Sequence, residues 1–302
     1  MKKMILFFIF GFVLTACFSK AEELKQNMNT SYYVSDSYFK KNEGYDWVLV
    51  SLKQINDFEI KVSVRSRADK KKPTCTFDDI LYKRENNIYA SYKEGKTILF
   101  KISDNSLSIE GGSAEDENIL YYFCSGGASL KGEYKKLEGE IDQKQIDKTI
   151  YIDSLTYNGF GFFVEQKANK VSIFSPNLKY GKESIINKIE GNIVFSEIAD
   201  LNADGSPEVY MYIENQKENR VYSSLLAYSV NNGLSMSEIY LAPLSHDKKA
   251  FDKYEGNDEF RVVENTLIRR FPIKDNKTKQ IQYKLVAGEA SWQLKIDKVM
   301  EY

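Results

Sequence analysis

Phe58-Glu59-Ile60-Lys61-Val62-Ser63-Val64 alternates apolar and polar residues at every step and is rich in β-branched side chains. That is the pattern of a strand with one buried and one wet face. Segments of the same kind flank it: Trp47-Val48-Leu49-Val50 before, then Asn87 to Tyr92, Thr97 to Ile102, Ser106 to Ile109 and Ile119-Leu120-Tyr121-Tyr122-Phe123, separated by Asn, Asp, Gly and Lys turns. A sheet must bury one face, so five to eight such strands predict an antiparallel β-sandwich or small barrel over residues 45–140. The charged stretch Lys135 to Gln145 reads as a junction, and a second mainly antiparallel β domain is expected over 141–302. Its strands are Lys148 to Ile152, Gly161 to Val164, Lys170 to Phe174, Glu208 to Ile213, Ser224 to Ser229, Phe260 to Val263, Thr266 to Phe271 and Ile281 to Val286. Asn231-Asn232-Gly233 and Asn265 supply hairpin turns. With 21 tyrosines and 18 phenylalanines against 5 prolines, the composition agrees with an all-β chain rich in aromatic cross-strand pairs.

The amino terminus fixes the compartment. Lys2-Lys3, the apolar run Met4 to Leu14 and then Leu14-Thr15-Ala16-Cys17 form a secretory signal, with an apolar core too short to span a bilayer. The last four residues look like the lipobox of a bacterial lipoprotein. Residues 1–16 are then the signal peptide, Cys17 the lipidated first residue and 17–44 a flexible tether, since 18–44 is polar and aperiodic. Phe18 stands where an aspartate would favour inner-membrane retention, so the expected location is the outer membrane, lipid-anchored and facing the periplasm. Besides Cys17 the chain has only Cys75 and Cys124; in an exported protein such a lone pair is expected to be bonded.

Charge and chemistry narrow the function classes. Lys and Arg number 42 against 43 Asp and Glu, and loss of Lys2 and Lys3 leaves the exported chain slightly more acidic, which argues against a nucleic-acid partner. The single histidine, His246, sits in a polar stretch, so neither a His-based catalytic group nor a two-histidine metal site can be assembled. A binding protein is expected, not an enzyme. Asp200, Asn202, Asp204 and Gly205 match the opening of a calcium loop, but Met211 stands at the twelfth position, so a Ca2+ site would have to close through Glu208. The same residues also build Asx turns that bond their own backbone. No cofactor is required by this reading.

Two cysteine-bearing stretches, Ser66 to Phe77 with Lys70-Lys71-Lys72, and Tyr122-Phe123-Cys124-Ser125-Gly126-Gly127-Ala128-Ser129-Leu130-Lys131-Gly132-Glu133-Tyr134, resemble the periplasmic inhibitors of invertebrate-type lysozyme. Asp200 to Tyr210 and Arg269-Arg270-Phe271-Pro272-Ile273 resemble the carboxy-terminal extension of larger members. The resemblance implies a membrane-anchored proteinaceous lysozyme inhibitor acting in host-defence evasion. Its implied contacts are Ser125, Gly126, Gly127, Ser129 and Tyr134, which would block the active-site cleft. Ser129 falls where the Ser-Gly-x-x-Tyr pattern of related inhibitors has its tyrosine. The alternative from a different class is a surface glycan-binding or adhesion lipoprotein, in which the Asp200 loop matters and the Ser125 loop does not.

Overall fold

A computed structural model describes residues 30–181 and 183–302; the signal segment and Cys17 lie outside them. The chain is all-β and divides into two compact units at Asp147/Lys148. Among the described residues no helix is long and apolar enough to cross a membrane.

The first unit is a closed antiparallel barrel of eight strands in chain order: β1 (Thr30–Val34), β2 (Val48–Gln54), β3 (Glu59–Ser66), β4 (Phe77–Glu85), β5 (Ile88–Lys93), β6 (Lys96–Ile102), β7 (Ser106–Gly111) and β8 (Gly132–Lys136). Alternation along each strand puts Val50, Leu52, Ile60, Val62, Val64, Ile98, Phe100, Leu107 and Ile109 inside, and eight strands enclose just enough room for such side chains to fill. The pairings Tyr33↔Lys136 and Val34↔Lys135 close the ring. Closure removes the open edges that would otherwise template aggregation.

Three expectations change here. The tether was expected to run through residue 44, yet Thr30–Val34 is the closing strand and Asp36–Glu43 a 3-10 helix. Tyr33 and Val34 are buried, and their burial outweighs the polar composition around them. Ile119-Leu120-Tyr121-Tyr122-Phe123, expected as a strand, is instead a four-residue helix over Ile119–Tyr122. Ile119 and Leu120 enter the barrel core while Tyr121 and Tyr122 face outward, a two-in, two-out order that a strand cannot produce. The boundary after 140 also moves. Residues 137–147 belong to the barrel unit: Leu137, Ile141 and Ile146 pack on the satellite core of Val34, Tyr38, Trp47 and Leu49, and Ala68 and Asp147 donate backbone bonds to Gln145 and Ser66.

The second unit has three sheets. The first holds β9 (Thr149–Tyr157), β10 (Phe160–Lys167), β11 (Lys170–Phe174) and β12 (Ile185–Lys188). The second holds β13 (Asn192–Ala199), β14 (Glu208–Lys217), β15 (Arg220–Asn231) and β16 (Ser235–Glu238). The third holds β17 (Tyr240–Leu241), β18 (Glu259–Val263), β19 (Thr266–Ile273), β20 (Lys277–Ala287) and β21 (Trp292–Glu301). The second sheet lies between two cores. Val209, Met211 and Ile213 join the core shared with the first sheet, while Tyr210 and Tyr212 join the core shared with the third. Burial on both faces is why Glu208 to Ile213 reads as an unbroken apolar run after its first residue.

Candidate functional site

The two cysteine-bearing stretches meet at one end of the barrel. Cys75 and Cys124 form a disulfide across 49 residues of sequence, flanked by Ser125 N donating to Thr74 O at 2.7 Å and Thr76 N to Phe123 O at 3.0 Å. Cys75 is buried with Phe77 in the barrel core, and Phe123 packs edge-on against Phe77, with ring centroids 4.6 Å apart. The root of the loop is therefore fixed by a covalent bond, a bridge of backbone bonds and an aromatic contact.

Beyond that root the chain makes a tight turn. Ala128 N donates to Ser125 O at 3.2 Å, and the two central residues, Gly126 and Gly127, have φ of 66° and 79°. Two successive positive φ values mark a type I′ turn, which glycine adopts without steric penalty. A Cβ at either glycine would meet no atom within 4 Å, so the space above the turn is open and the turn protrudes. Ser125 is exposed, its hydroxyl making only long contacts of 3.4 Å to Pro73 O and Thr74 O. Leu130, fully buried and bonded to Leu120 O at 3.0 Å, ends the loop, and Lys131 pairs with Glu117 at 2.9 Å beside it.

The expected contact residues separate into two groups. Ser125, Gly126 and Gly127 are exposed together at the tip, whereas Ser129 is partly buried and accepts from Lys131 N at 3.0 Å. Tyr134 corrects the expectation: its ring is 4 % exposed, its hydroxyl donates to Leu130 O at 2.7 Å, and burial pushes its pKa up to about 12. Its position on β8 points it inward opposite Leu107, so it supports the loop's exit and cannot touch a partner. Tyr121 and Tyr122, each about half exposed, are aromatics beside the turn that sequence reasoning took for strand residues. Exposed Lys70, Lys71 and Lys72 immediately precede the Pro73 and Thr74 carbonyls that Ser125 touches, and Lys71 pairs with Asp46 at 2.6 Å.

The Asp200 loop of the second unit is a separate feature. Both carboxylate oxygens of Asp200 accept backbone bonds, from Asp204 at 3.1 Å and Gly205 at 2.9 Å. Asn202 donates to Asp204 at 2.8 Å, and Asp204 accepts from Ser206 N at 2.7 Å. Among the described residues no group of three or more His, Cys, Asp or Glu converges as for a metal. Glu208 is fully buried, accepting from Leu201 N at 2.9 Å. Burial, with the charges of Asp200 and Asp204 added, pushes its pKa up to about 7.

This shift predicts a pH dependence. A carboxyl whose folded pKa exceeds its unfolded one stabilises the fold fully below the unfolded value and loses that contribution as pH rises through the folded one. The second unit should thus weaken by roughly 2–3 kcal/mol between about pH 4.5 and pH 8, and Glu208→Gln should flatten that slope and melt higher at pH 8. Urea unfolding at both pH values, read from Trp292 fluorescence in a Trp47→Phe background, measures it. Repeating the titration in millimolar calcium tests the loop as an ion site, because a bound cation would hold Glu208 ionised and reverse the trend.

The sequence matches no family profile, and no curated protein matches it.

Proposed function

We propose that this chain is a membrane-anchored binding protein whose Ser125–Ala128 turn enters the active-site cleft of a lysozyme, preferably of the invertebrate type, and inhibits it by occupancy. The observation that carries this reading is the turn itself, narrow, exposed, open above both glycines and held at its root by the Cys75–Cys124 disulfide. A lysozyme cleft carries two carboxyl groups and is lined to hydrogen-bond sugar hydroxyls. The Ser125 hydroxyl and the Gly126 and Gly127 N–H groups offer donors to such acceptors, and side-chain-free glycines let the backbone approach closely. A turn that is rigid before docking loses little conformational freedom on binding. Tyr121 and Tyr122 take the role of amphipathic anchors that Tyr134 cannot fill. The three lysines ahead of Pro73 would meet acidic groups at the cleft rim and raise the association rate. Lipidation at Cys17 would hold the inhibitor at the outer membrane, facing the periplasm, where peptidoglycan is exposed to attack.

The test is a titration of residues 18–302 against chicken-, goose- and invertebrate-type lysozymes. Ser125→Ala should leave the melting curve unchanged and weaken inhibition about thirtyfold, the equivalent of a truncated hot spot of about 2 kcal/mol. Tyr134→Phe should leave inhibition intact. Full activity of all three lysozymes in excess purified protein would refute the reading.

A further inference from the structure

The Ser125 turn stands at one end of the barrel, and the chain from Cys17 arrives at the other. β1 starts at Thr30, paired with Lys53 near the end of β2, and finishes at Val34, paired with Leu49. The turns that share the Thr30 end include Ile55–Phe58 between β2 and β3, because Gln54 pairs with Ile60. Residues 86–87 between β4 and β5 lie at the same end, since Glu59 pairs with Tyr82. The Cys75–Cys124 bridge and the Ser125 turn lie past Ser66 and Phe77, at the far end.

The Ile55–Phe58 turn exposes apolar side chains. Phe58 is 71 % exposed and Ile55 48 %, with Tyr82 at 43 % on the adjoining strand. The turn is also stiff. Ile55 N and Asn56 N both donate to Glu59 O, the Asn56 side chain accepts from Phe58 N at 2.8 Å and donates to Glu59 at 2.7 Å, and Lys83 N donates to Phe58 O. Exposed charge around it is balanced: Lys53, Lys83 and Arg84 against Asp57, Glu85 and the half-exposed Glu59. A rigid apolar tip within a neutral rim suits the headgroup and acyl boundary of a bilayer better than it suits an anionic polymer.

We infer that Phe58 and Ile55 dip into the lipid surface that carries this chain's own anchor, so that the barrel stands on its Thr30 end and presents the Ser125 turn away from the membrane. This rests on lipidation of Cys17, the reading on which the anchored inhibitor also depends. The 13 residues from Cys17 to Asn29 span at most about 45 Å even when fully extended. They join the barrel at Thr30, whose partner Lys53 lies five residues before Phe58. Of the two barrel ends, the one with the Ile55–Phe58 turn is the one at which the chain from the anchor enters the barrel.

The full lipidated chain, reconstituted in phosphatidylcholine vesicles with bromine on the acyl chains, tests this. In a Trp47→Phe, Trp292→Phe background, Phe58→Trp should emit at shorter wavelength than in the unlipidated chain free in buffer and be quenched at least about twofold relative to unbrominated vesicles, unchanged in 1 M salt because the rim is neutral. Tyr92→Trp in the same background, 54 % exposed beside the β5–β6 turn at the opposite end, should not be quenched. Vesicles that float the protein while Trp at position 58 is quenched no more than Trp at position 92 would overturn the docking and leave the anchor standing. Protein that fails to float with the vesicles at all would overturn the anchor, and the docking with it.

Discussion

Replacing both Cys75 and Cys124 by alanine should lower the stability of the barrel unit by about 4 kcal/mol and, in the same protein, loosen the Ser125 turn. The first effect follows from the chain. The bond closes a loop of 49 residues, and freeing so long a loop restores unfolded-state entropy equivalent to roughly 4 kcal/mol in the chain-entropy description, within the 2–5 kcal/mol range for native disulfides. A unit of this size should then melt about 10–15 °C lower. The second effect follows from position. Cys124 immediately precedes Ser125, and with the covalent root gone the turn is held by non-covalent contacts alone, among them the Thr74 and Phe123 backbone bonds and the Phe77–Phe123 contact. Trp47, buried at 1 % in the barrel unit, and Trp292 in the second unit are the two tryptophans of the chain. A Trp292→Phe background therefore reads the barrel by fluorescence without interference. Amide exchange at Gly126, Gly127 and Ala128 should rise even at temperatures where Trp47 still reports a folded barrel. An unchanged Trp47 transition would show that the bond contributes nothing to the fold.

Where one face of a strand is wet, the sequence spoke clearly. Ile60, Val62 and Val64 all lie inside the barrel, as strict alternation requires. The cysteines were legible for a different reason, since besides Cys17 the sequence leaves Cys75 and Cys124 one partner each. β4 was hidden by charge. Phe77-Asp78-Asp79-Ile80-Leu81 reads as polar, but Asp78 is buried in an ion pair with Arg65 at 2.7 Å and Asp79 lies 3.4 Å from Lys93. A pairing between distant residues cannot be read from either segment alone. β1 was hidden by shortness, because two buried residues, Tyr33 and Val34, do not stand out from a polar neighbourhood. The helix at Ile119–Tyr122 turns on its context: Ile119 and Leu120 donate to Asp116 and Glu117, which starts the turn before the apolar run begins. That local choice decides which aromatics face a partner, so Tyr121 and Tyr122 could not be told from core, nor Tyr134 from surface, before the backbone was known.

Removing the carboxylate of Asp258 should be the most damaging single substitution in the second unit. The side chains of Asp258 and Arg269 are 0 % and 3 % exposed, 2.6 Å apart. Every other group around them is committed. Ser223 N and the Tyr254 hydroxyl donate to Asp258 at 2.9 and 2.7 Å, Arg269 donates to Ser223 O at 3.2 Å, and its guanidinium is packed within about 5 Å of the Phe251, Tyr254 and Phe260 rings. The aromatic faces attract the cation but cannot replace its anion. Asp258→Ala strands a buried positive charge and orphans two donors, which should cost 3–5 kcal/mol as for other broken buried pairs. Exchanging both partners together, Asp258→Leu with Arg269→Met, removes the stranded charge and should recover much of that loss, because the pair's net contribution is small once its desolvation is counted. Urea unfolding followed at Trp292 in a Trp47→Phe background separates the cases: the single variant should shift the midpoint far to lower urea and the double variant should sit between it and the parent. A double variant as unstable as the single one would mean that the pair organises the sheet around it and does more than neutralise charge.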